Sequence, residues 1–423
     1  MDFKSAIDFI YSFKDWERGG RYQFDLSGFK EFLKKIGSPH FQVKRPVLIA
    51  GTKGKSSTAR ILSSIFELAG KTGTFTSPHL MDIRERIKIN DKPISEGRFV
   101  EIIEEIKPNI QTTDTNHLYE PTTFEILTSI AFVYFATENT DSSVFEVGLG
   151  GRLDATNVLN PEISVITPIS FDHTEILGNT LSSIAYEKCG IIREEGKVIS
   201  APQSPEVLEV IKEVCRSKGA KLVVVGQDVF CEDLKCDIKG ARFKIAGEEY
   251  SLPLLGRHQV INALAAIYTA QVYGIPQSLI KKGVSHACSP GRIEVIDKNP
   301  WVVFDGAHNP ASAWVLRRSI VELFDFRRLF LVFGVLKDKD KEGIIKVLAP
   351  ITDSVFVTSL RSPRSADSDE LLKIFKQAGV KAKLVKSPIA GLESARNKAG
   401  PQDLILATGS LYLIGELLST VNR

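Results

Sequence analysis

Short runs of apolar and β-branched residues recur along the first half of the chain. The run "PVLIA" at 46–50 precedes a helical pattern that places Ile61, Leu62 and Ile65 on one face. Because these runs do not alternate with polar residues, they predict strands buried on both faces, as in a parallel α/β sheet. The other predicted strands of this kind are 142–148, 162–167, 197–200 and 221–226.

The pattern changes near residues 228–254, where short alternating segments and glycine turns predict a small antiparallel sheet. Residues 262–274 then predict a helix, and the Pro290-Gly291 pair indicates a boundary. Strand–helix units resume beyond it. We therefore expect one larger α/β domain to about residue 290 and a smaller one after it, with strands at 301–306, 328–335, 353–359 and 403–410.

Composition narrows the class of protein. The 423 residues carry a net charge of +3, with 43% hydrophobic and 25% charged residues, which is typical of a globular protein and gives no reason to expect nucleic acid or membrane partners. The first residues lack the pattern of a cleavable signal. The five cysteines form no C-x-x-C pair, so neither a disulfide framework nor a zinc site is indicated. A cytoplasmic location fits best.

The segment "LIAGTKGKSSTARIL" at 48–62 resembles a phosphate-binding loop but departs from the common spacing, because Ile49 stands where the first glycine belongs. It still joins a buried strand to a helix start. Gly51 and Gly54 allow a sharp turn, Lys55 supplies a charge for phosphate, and Ser56 or Ser57 can offer a hydroxyl to Mg²⁺. An ordinary tight turn is the weaker alternative.

Polar side chains also follow other predicted strands. Glu146 ends one strand before a glycine-rich loop, and Asp172-His173 follow the next. Ligands of open α/β sheets gather at these carboxyl ends, and a carboxylate there can hold a metal ion. A solvated Glu146, a structural His173 and a surface Lys188 paired with Glu187 are the alternatives.

The second domain has a similar cluster. Asp305, His308 and Asn309 share one turn after a predicted strand, and the segment "ATGS" at 407–410 follows another. Asp and Asn also suit turns for local reasons. Three polar groups at a strand end nevertheless favour a ligand site.

Several motifs together resemble folylpolyglutamate synthases and dihydrofolate synthases of the Mur ligase superfamily. They appear in order along nearly the whole chain: "GTKGKSST", "TSPHL", "ERIKIN", "FEILTSIAF", "EVGLGGRLDATNV", "DHTEILG", "EKCGII", "GRHQVINALAA", "PGRIEVI" and "DGAHN". The resemblance implies a P-loop ATPase-type domain with the folate site over residues 1–290, and a Rossmann-like domain that contributes glutamate and nucleotide contacts over 291–423.

The resemblance also implies a reaction. Such enzymes are ATP-dependent acid–amino-acid ligases that add L-glutamate to dihydropteroate, or to the γ-carboxyl of a folate, through an acyl phosphate. We expect a bifunctional enzyme and a monomer. A folylpolyglutamate synthase without the dihydrofolate synthase activity, or another Mur-type amino-acid ligase, stays open. A regulatory ATP-binding module would not explain the cluster in the second domain.

The implied roles fall on matching positions. ATP would contact Gly51, Thr52, Lys53, Gly54, Lys55, Ser56, Ser57, Asn262, Arg292 and Asp305. Two Mg²⁺ ions would use Ser57, Ser77, Glu146 and His173. The catalytic set would be Lys55, Glu146, His173, Lys188, Asp305 and His308, with Lys188 carbamylated. Folate and glutamate would contact Pro78, His79, Arg84, Phe124, Arg152, Asp154, His308 and Ser410, and residues from about Ser77 to Asn90 would form a mobile loop over the folate.

The chain departs from the family pattern in its phosphate loop. Lys53 replaces an asparagine and Ser56 replaces a glycine, so two hydroxyls compete as the Mg²⁺ ligand. The family spacing favours Ser57. Cys189 stands where alanine is usual.

Overall fold

A computed structural model describes residues 1–14, 25–111 and 119–421 of the chain. Its first body is an eight-stranded sheet, with β1 (Pro46–Ala50), β2 (Thr72–Phe75), β3 (Ile87–Ile89), β4 (Lys92–Pro93), β5 (Ser142–Glu146), β6 (Ile163–Ile166), β7 (Lys197–Ser200) and β8 (Lys221–Val224). The strand order is β4-β3-β2-β5-β1-β6-β7-β8, and only β3 and β4 run antiparallel to their neighbours. All five strands predicted for this region are confirmed.

Helices cover both faces of this sheet. The described helices before the small sheet are α1 (Phe3–Tyr11), α2 (Leu26–Lys35), α3 (Lys55–Phe66), α4 (Glu96–Gln111), α5 (Thr123–Thr137), α6 (Thr174–Leu177), α7 (Leu181–Cys189) and α8 (Pro205–Ser217). In β1, Leu48 and Ala50 join one apolar core while Val47 and Ile49 join the other. A continuous apolar run is therefore what a strand between two cores requires.

The predicted antiparallel sheet is present. It consists of β9 (Glu232–Asp237), β10 (Gly240–Ile245) and β11 (Glu248–Leu252), followed by α9 (Arg257–Val272) and α10 (Gln277–His286). The helix expected at 262–274 begins earlier, at Arg257. Its first turn carries polar residues that an apolar pattern does not register.

The second body is a six-stranded sheet with the order β12-β13-β17-β14-β15-β16, parallel except for β12. Its strands are β12 (Glu294–Lys298), β13 (Trp301–Phe304), β14 (Leu329–Phe333), β15 (Ser354–Val357), β16 (Lys381–Leu384) and β17 (Leu404–Thr408). Its helices are α11 (Pro310–Leu323), α12 (Lys341–Leu348), α13 (Ser368–Gln377), α14 (Pro388–Arg396) and α15 (Leu411–Leu418). The α/β class and this parallel second sheet are confirmed, while the boundary at 290/291 stays a prediction.

Short 3₁₀ segments complete the described chain: Pro39–Phe41, Ile83–Arg86, Ala155–Val158 and Ala349–Ile351. Within the described ranges, every helix is too short or too polar to cross a membrane.

Candidate active site

The phosphate loop joins β1 to α3 through two glycines in backbone conformations that other residues rarely adopt. Gly51 has φ +141° and Gly54 has φ +85°. A Cβ on Gly51 would lie 1.9 Å from Thr167 Oγ1, and one on Gly54 would lie 2.3 Å from Asn262 Oδ1. Both glycines are therefore required by the turn and by the close approach of neighbouring elements.

The backbone amides of the loop divide into two groups. Those of Thr52 and Lys53 donate to the carbonyl of Pro168, at 3.0 and 3.2 Å, so they hold the loop against the end of β6. The amides of Lys55, Ser56 and Ser57 open α3, where an α-helix provides no internal acceptor. An anion at this point would be attracted by the positive end of the helix dipole and by the charge of Lys55.

Glu146, at the carboxyl end of β5, is almost completely buried beside the loop. Its Oε1 accepts a hydrogen bond from Ser56 Oγ at 2.8 Å, and its Oε2 accepts one from the amide of Ser77 at 3.2 Å. Burial raises the pKa of this carboxyl, and the nearby Lys55 opposes the rise. A buried carboxylate in contact with a serine hydroxyl, next to a phosphate loop, has the oxygen chemistry that Mg²⁺ prefers.

The two tandem serines face different partners. Ser56 reaches Glu146, whereas Ser57 Oγ lies 3.3 Å from Ser289 Oγ in the segment that leads to the second sheet. In this arrangement Ser56 is the hydroxyl in contact with the carboxylate, although the family spacing favours Ser57. Both side chains line the same cavity.

Lys188, near the end of α7, is buried, and its Nζ donates to the carbonyl of Gly51 at 3.0 Å. Burial, reinforced by the charge of Lys55, lowers the pKa of Lys188 to about 7. The surface salt pair with Glu187 that the sequence left open does not form, since Glu187 pairs with Arg152 instead, at 2.8 Å.

Asp172 and His173 lie in the loop after β6. Burial lowers the pKa of His173 to about 4, so its imidazole is neutral at pH 7, which is the form that can bind a metal ion. Asp172 reaches across the cleft: its Oδ1 lies 3.7 Å from Lys339 Nζ, and its Oδ2 accepts from Asn309 Nδ2 at 3.4 Å.

The predicted residues of the second domain also converge on the cleft. The buried Asp305 accepts hydrogen bonds from the amides of Ala307, at 2.8 Å, and Ile293, at 2.9 Å. His308 donates from Nδ1 to the carbonyl of Gly306 at 2.8 Å, and burial lowers its pKa to about 4. Its Nε2 is therefore left as a hydrogen-bond acceptor.

One cavity of about 510 Å³ is lined by residues of both domains. It brings together most of the predicted site: Thr52, Lys53, Gly54, Lys55, Ser56, Ser57, Ser77, Pro78, Phe124, Glu146, Asp154, His173, Asn262, Arg292, Asp305, His308 and Ser410. Gly51 and Lys188 lie immediately behind this lining, in contact with each other.

Three predicted substrate residues lie away from the cavity lining. Arg84 pairs with Asp82 and Glu96. Arg152 pairs with Glu187 on the surface, and His79 accepts a hydrogen bond from Arg86 Nε at 2.9 Å. A motif match gives the position of such residues along the chain but not the direction of their side chains.

Asp154 lines the cavity, yet its oxygens already serve the loop after β5. They accept from the amides of Leu149 and Thr156, at 2.9 and 3.0 Å, and from Thr156 Oγ1 at 2.6 Å. Asp154 thus organises this loop as well as facing the cavity.

The lining residues missed from the sequence include Arg86, Gln259, Lys339 and Arg364. Gln259 could have been predicted, because it lies three residues before Asn262 on α9. Its side chain accepts a hydrogen bond from the side-chain amide of Asn262 at 2.9 Å. Lys339 and Arg364 lie in loops after β14 and β15, where charged residues are common, so no local pattern marks them.

The side chains near the phosphate loop determine which metal ion the site could hold. Over residues 1–14, 25–111 and 119–421, no three His, Cys, Asp or Glu side chains cluster closely enough to hold a metal ion by themselves. Glu146, the serine hydroxyls and neutral His173 still fit Mg²⁺, because this ion commonly takes one or two protein ligands and completes its shell with phosphate oxygens and water.

The fold and the cleft together define a two-domain ligase of the Mur type. Residues 49–270 match the Mur ligase middle domain, and residues 291–411 match the Mur ligase glutamate ligase domain. The chain is 33% identical over 415 residues to the dihydrofolate synthase/folylpolyglutamate synthase of Bacillus subtilis, a match that covers 94% of this chain and 96% of that protein.

Solved structures of folylpolyglutamate synthases are similar to this chain over its full length. The folylpolyglutamate synthase of Mycobacterium tuberculosis complexed with ADP is 32% identical, with a TM-score of 0.91 over 100% of this chain and 98% of that one. Escherichia coli FolC in complex with DHPP and ADP is 28% identical, with a TM-score of 0.87 over 100% and 98% of the two chains. The chain belongs to the dihydrofolate synthase/folylpolyglutamate synthase family of Mur ligases.

Proposed function

We propose that this protein uses ATP to join the amino group of L-glutamate to a carboxyl group of dihydropteroate and of reduced folates. One observation carries the proposal: a single cavity is lined at once by the phosphate loop, the buried Glu146, the aromatic Phe124 and the second-domain groups His308 and Ser410. Such a cavity suits three ligands that must meet, namely a nucleotide, a flat heteroaromatic acid and an amino acid.

ATP would bind across the two domains. The opening amides of α3 and the ammonium of Lys55 face the phosphates. Asn262 on α9, together with Arg292 and Asp305 of the second domain, would contact the rest of the nucleotide. Since these groups come from both sides of the cleft, nucleotide binding would also hold the domains together.

Glu146, Ser56 or Ser57, Ser77 and His173 would hold Mg²⁺. When bound, Mg²⁺ neutralises charge on the transferred phosphoryl group and orients it for in-line displacement. The position of the Glu146 side chain does not depend on the metal ion. The hydroxyl of Ser56 and the amide of Ser77 donate to its two oxygens and fix them at the edge of the phosphate site.

The chemistry has two steps. An oxygen of the substrate carboxylate attacks the γ-phosphorus of ATP, and ADP leaves, which gives an acyl phosphate. The nitrogen of glutamate then attacks the acyl carbon, inorganic phosphate leaves, and the amide nitrogen loses a proton. A closed cleft would protect the acyl phosphate from water.

His308 would receive the incoming amine. Its Nε2 is an acceptor because Nδ1 donates to Gly306, and its lowered pKa keeps it neutral at working pH. A neutral imidazole can accept a hydrogen bond from an attacking amine, which an imidazolium cannot. Ser410, the N-cap residue of α15, lines the same cavity.

Lys188 would carry a carbamate, as the family resemblance implies. The neutral Nζ adds to the carbon of CO₂, a nitrogen–carbon bond forms and one proton is released. The pKa of about 7 supports this, because an appreciable fraction of the amine is neutral at pH 7. Carbon-13 NMR after incubation with labelled bicarbonate tests it: a carbamate signal that is lost in Lys188→Met is expected, and an identical spectrum for both proteins would refute it.

The function is tested by glutamate-dependent ADP release, measured separately with dihydropteroate and with a reduced folate. Release with both is expected. Release with only one would defeat the bifunctional proposal, and release that needs no glutamate would defeat the ligase proposal altogether.

The metal site is tested with Glu146→Gln, which keeps the size of the side chain but removes its charge. Loss of about 10²-fold or more in kcat is expected, because the anionic oxygen that would hold Mg²⁺ beside the transferring phosphoryl group is removed. Ser56→Ala and Ser57→Ala then identify the hydroxyl: the variant with the larger rise in the Mg²⁺ concentration required for half-maximal rate lacks the ligand. Near-normal turnover of Glu146→Gln would refute the metal assignment.

A further inference from the structure

Leu80 lies in a compact loop of the first domain but packs into the second. The loop extends from Thr76 to Arg86, and it is closed at its base by a hydrogen bond from the Thr76 amide to the Arg86 carbonyl, at 3.0 Å. Leu80 contacts the apolar cluster formed by β13, β14, β17 and α15. We call this segment the Leu80 loop.

The Leu80 loop lies largely within the segment from Ser77 to Asn90 that was predicted to be mobile, but hydrogen bonds inside the loop constrain its backbone. The carboxylate of Glu85 accepts hydrogen bonds from three successive backbone amides, those of Leu80, Met81 and Asp82, each at 2.9 Å. Asp82 in turn accepts from the amide of Arg84 at 2.9 Å. A loop whose amides are satisfied in this way moves as one unit, so a displacement at one end is transmitted to the other.

Two parts of this loop contact different parts of the cleft. At one end, the amide of Ser77 donates to Glu146 and Pro78 lines the cavity. Three residues after Ser77, Leu80 packs against α15, whose N-cap residue Ser410 also lines the cavity.

The contact with α15 depends on a glycine. A Cβ on Gly415 would lie 2.0 Å from the carbonyl oxygen of Leu80 and 2.9 Å from its carbonyl carbon. Gly415 lies inside the helix, where glycine is a poor helix former. Its place there is explained by the close approach of the Leu80 backbone, which no larger residue would permit.

We propose that Leu80 is a positioning residue that couples the second domain to the Glu146 side of the cavity. The inference rests on the proposed function. In this arrangement α15 places Leu80, and the rigid loop then places Ser77 and Pro78 beside the acid substrate. The contact between Leu80 and α15 thereby fixes the relative positions of the residues that would bind the amino acid and those that would bind the pterin acid.

Two variants break the contact from opposite sides. Leu80→Ala removes the apolar side chain, and Gly415→Ala introduces the collision. Matched controls are Met81→Ala, whose side chain is next in the loop but 47% exposed, and Gly97→Ala, where a Cβ meets nothing within 4 Å.

Both contact variants are expected to raise KM for the pterin acid and for glutamate roughly tenfold, in addition to any fall in melting temperature, while the Kd for ATP stays near that of the parent protein. A merely structural role would lower the melting temperature and leave both KM values unchanged. The controls should match the parent. Parental KM values in both Leu80→Ala and Gly415→Ala would overturn the proposal.

Limited trypsin digestion supplies a readout that needs no activity. Cleavage after Arg84 should be roughly fivefold or more faster in Leu80→Ala than in Met81→Ala, because the loop loses its anchor on α15. Equal cleavage rates would also overturn the inference. If the parent protein released no ADP with any folate, the proposed function would fail, and digestion would still decide the coupling.

Discussion

Lys188→Met is predicted to stabilise the ligand-free protein at pH 7 while abolishing its activity. The Lys188 side chain is buried, its Nζ donates to the carbonyl of Gly51, and Lys55 is close by. The pKa of this lysine falls from 10.5 to about 7, because burial penalises the ammonium form. Methionine has a similar length and no charge, so it removes the penalty and preserves most of the packing.

The magnitude follows from proton linkage. Between the folded pKa of about 7 and the unfolded value of 10.5, the unfolded chain binds more protons at this site, so the free energy of unfolding rises with pH. At about 1.4 kcal/mol per pKa unit, the penalty at pH 7 is roughly 4 kcal/mol, and about 2 kcal/mol of it is recovered by pH 9. Lys188→Met should lack this recovery.

The assay is urea unfolding at pH 7 and pH 9, in buffers free of CO₂ and nucleotide, with parent and variant compared at each pH. The variant should be the more stable protein at pH 7, and its advantage should shrink by about 2 kcal/mol at pH 9. Other groups that titrate, such as Lys53, are present in both proteins and cancel. Equal pH dependence of the two proteins would refute the reasoning, and so would a variant that is less stable at both pH values.

Two further perturbations test the cleft. Gly54→Ala places a Cβ 2.3 Å from Asn262 at a φ of +85°, so the Kd for ATP should rise at least about tenfold in calorimetric titration, and an unchanged Kd would contradict the loop geometry. Burial acts to raise the pKa of Asp172, but His173 and Lys339 lower it to about 2. Since His173 is neutral above about pH 4, Lys339 is the nearby cation that stabilises the Asp172 carboxylate at neutral pH. Asp172→Asn should therefore lower the free energy of unfolding there, and the loss should shrink as pH falls to about 2, whereas a pH-independent loss would rule out the ionic explanation.

Sequence patterns predicted the central strands of both sheets because those strands separate two apolar cores. The strands that were missed lie at the sheet edges or are short. β2 reads Thr-Gly-Thr-Phe, β4 has only two residues, and β16 alternates lysine with Ala382 and Leu384 at an exposed edge. Such segments are strands because a neighbour pairs with them, a tertiary cause that a local pattern does not contain.

The residues of the candidate site also divide into those that the sequence predicts and those that depend on tertiary structure. Residues at strand ends and in the phosphate loop were predictable, because topology alone brings the carboxyl ends of parallel strands together. Lys339 and Arg364 reach the cavity through the placement of the second domain, and Arg84 turns away to a local ion pair. Neither fact follows from spacing along the chain.

The cleft also carries an electrostatic imbalance that explains why nucleotide binding and stability should be linked. Among the described residues, Lys53, Lys55 and Lys188 have no carboxylate oxygen within ion-pair distance, and burial lowers the pKa of Lys53 to about 8. Lys53 and Lys55 are half-buried and Lys188 is buried, and positive charges that are close together and partly shielded from water destabilise the ligand-free fold. The phosphates of ATP would supply the missing anions, so binding should add about 2.7 kcal/mol to the free energy of unfolding at a hundredfold excess over Kd. The protein without ATP is thus expected to be the less stable form, because the positive charges of its phosphate site then lack the phosphate anions.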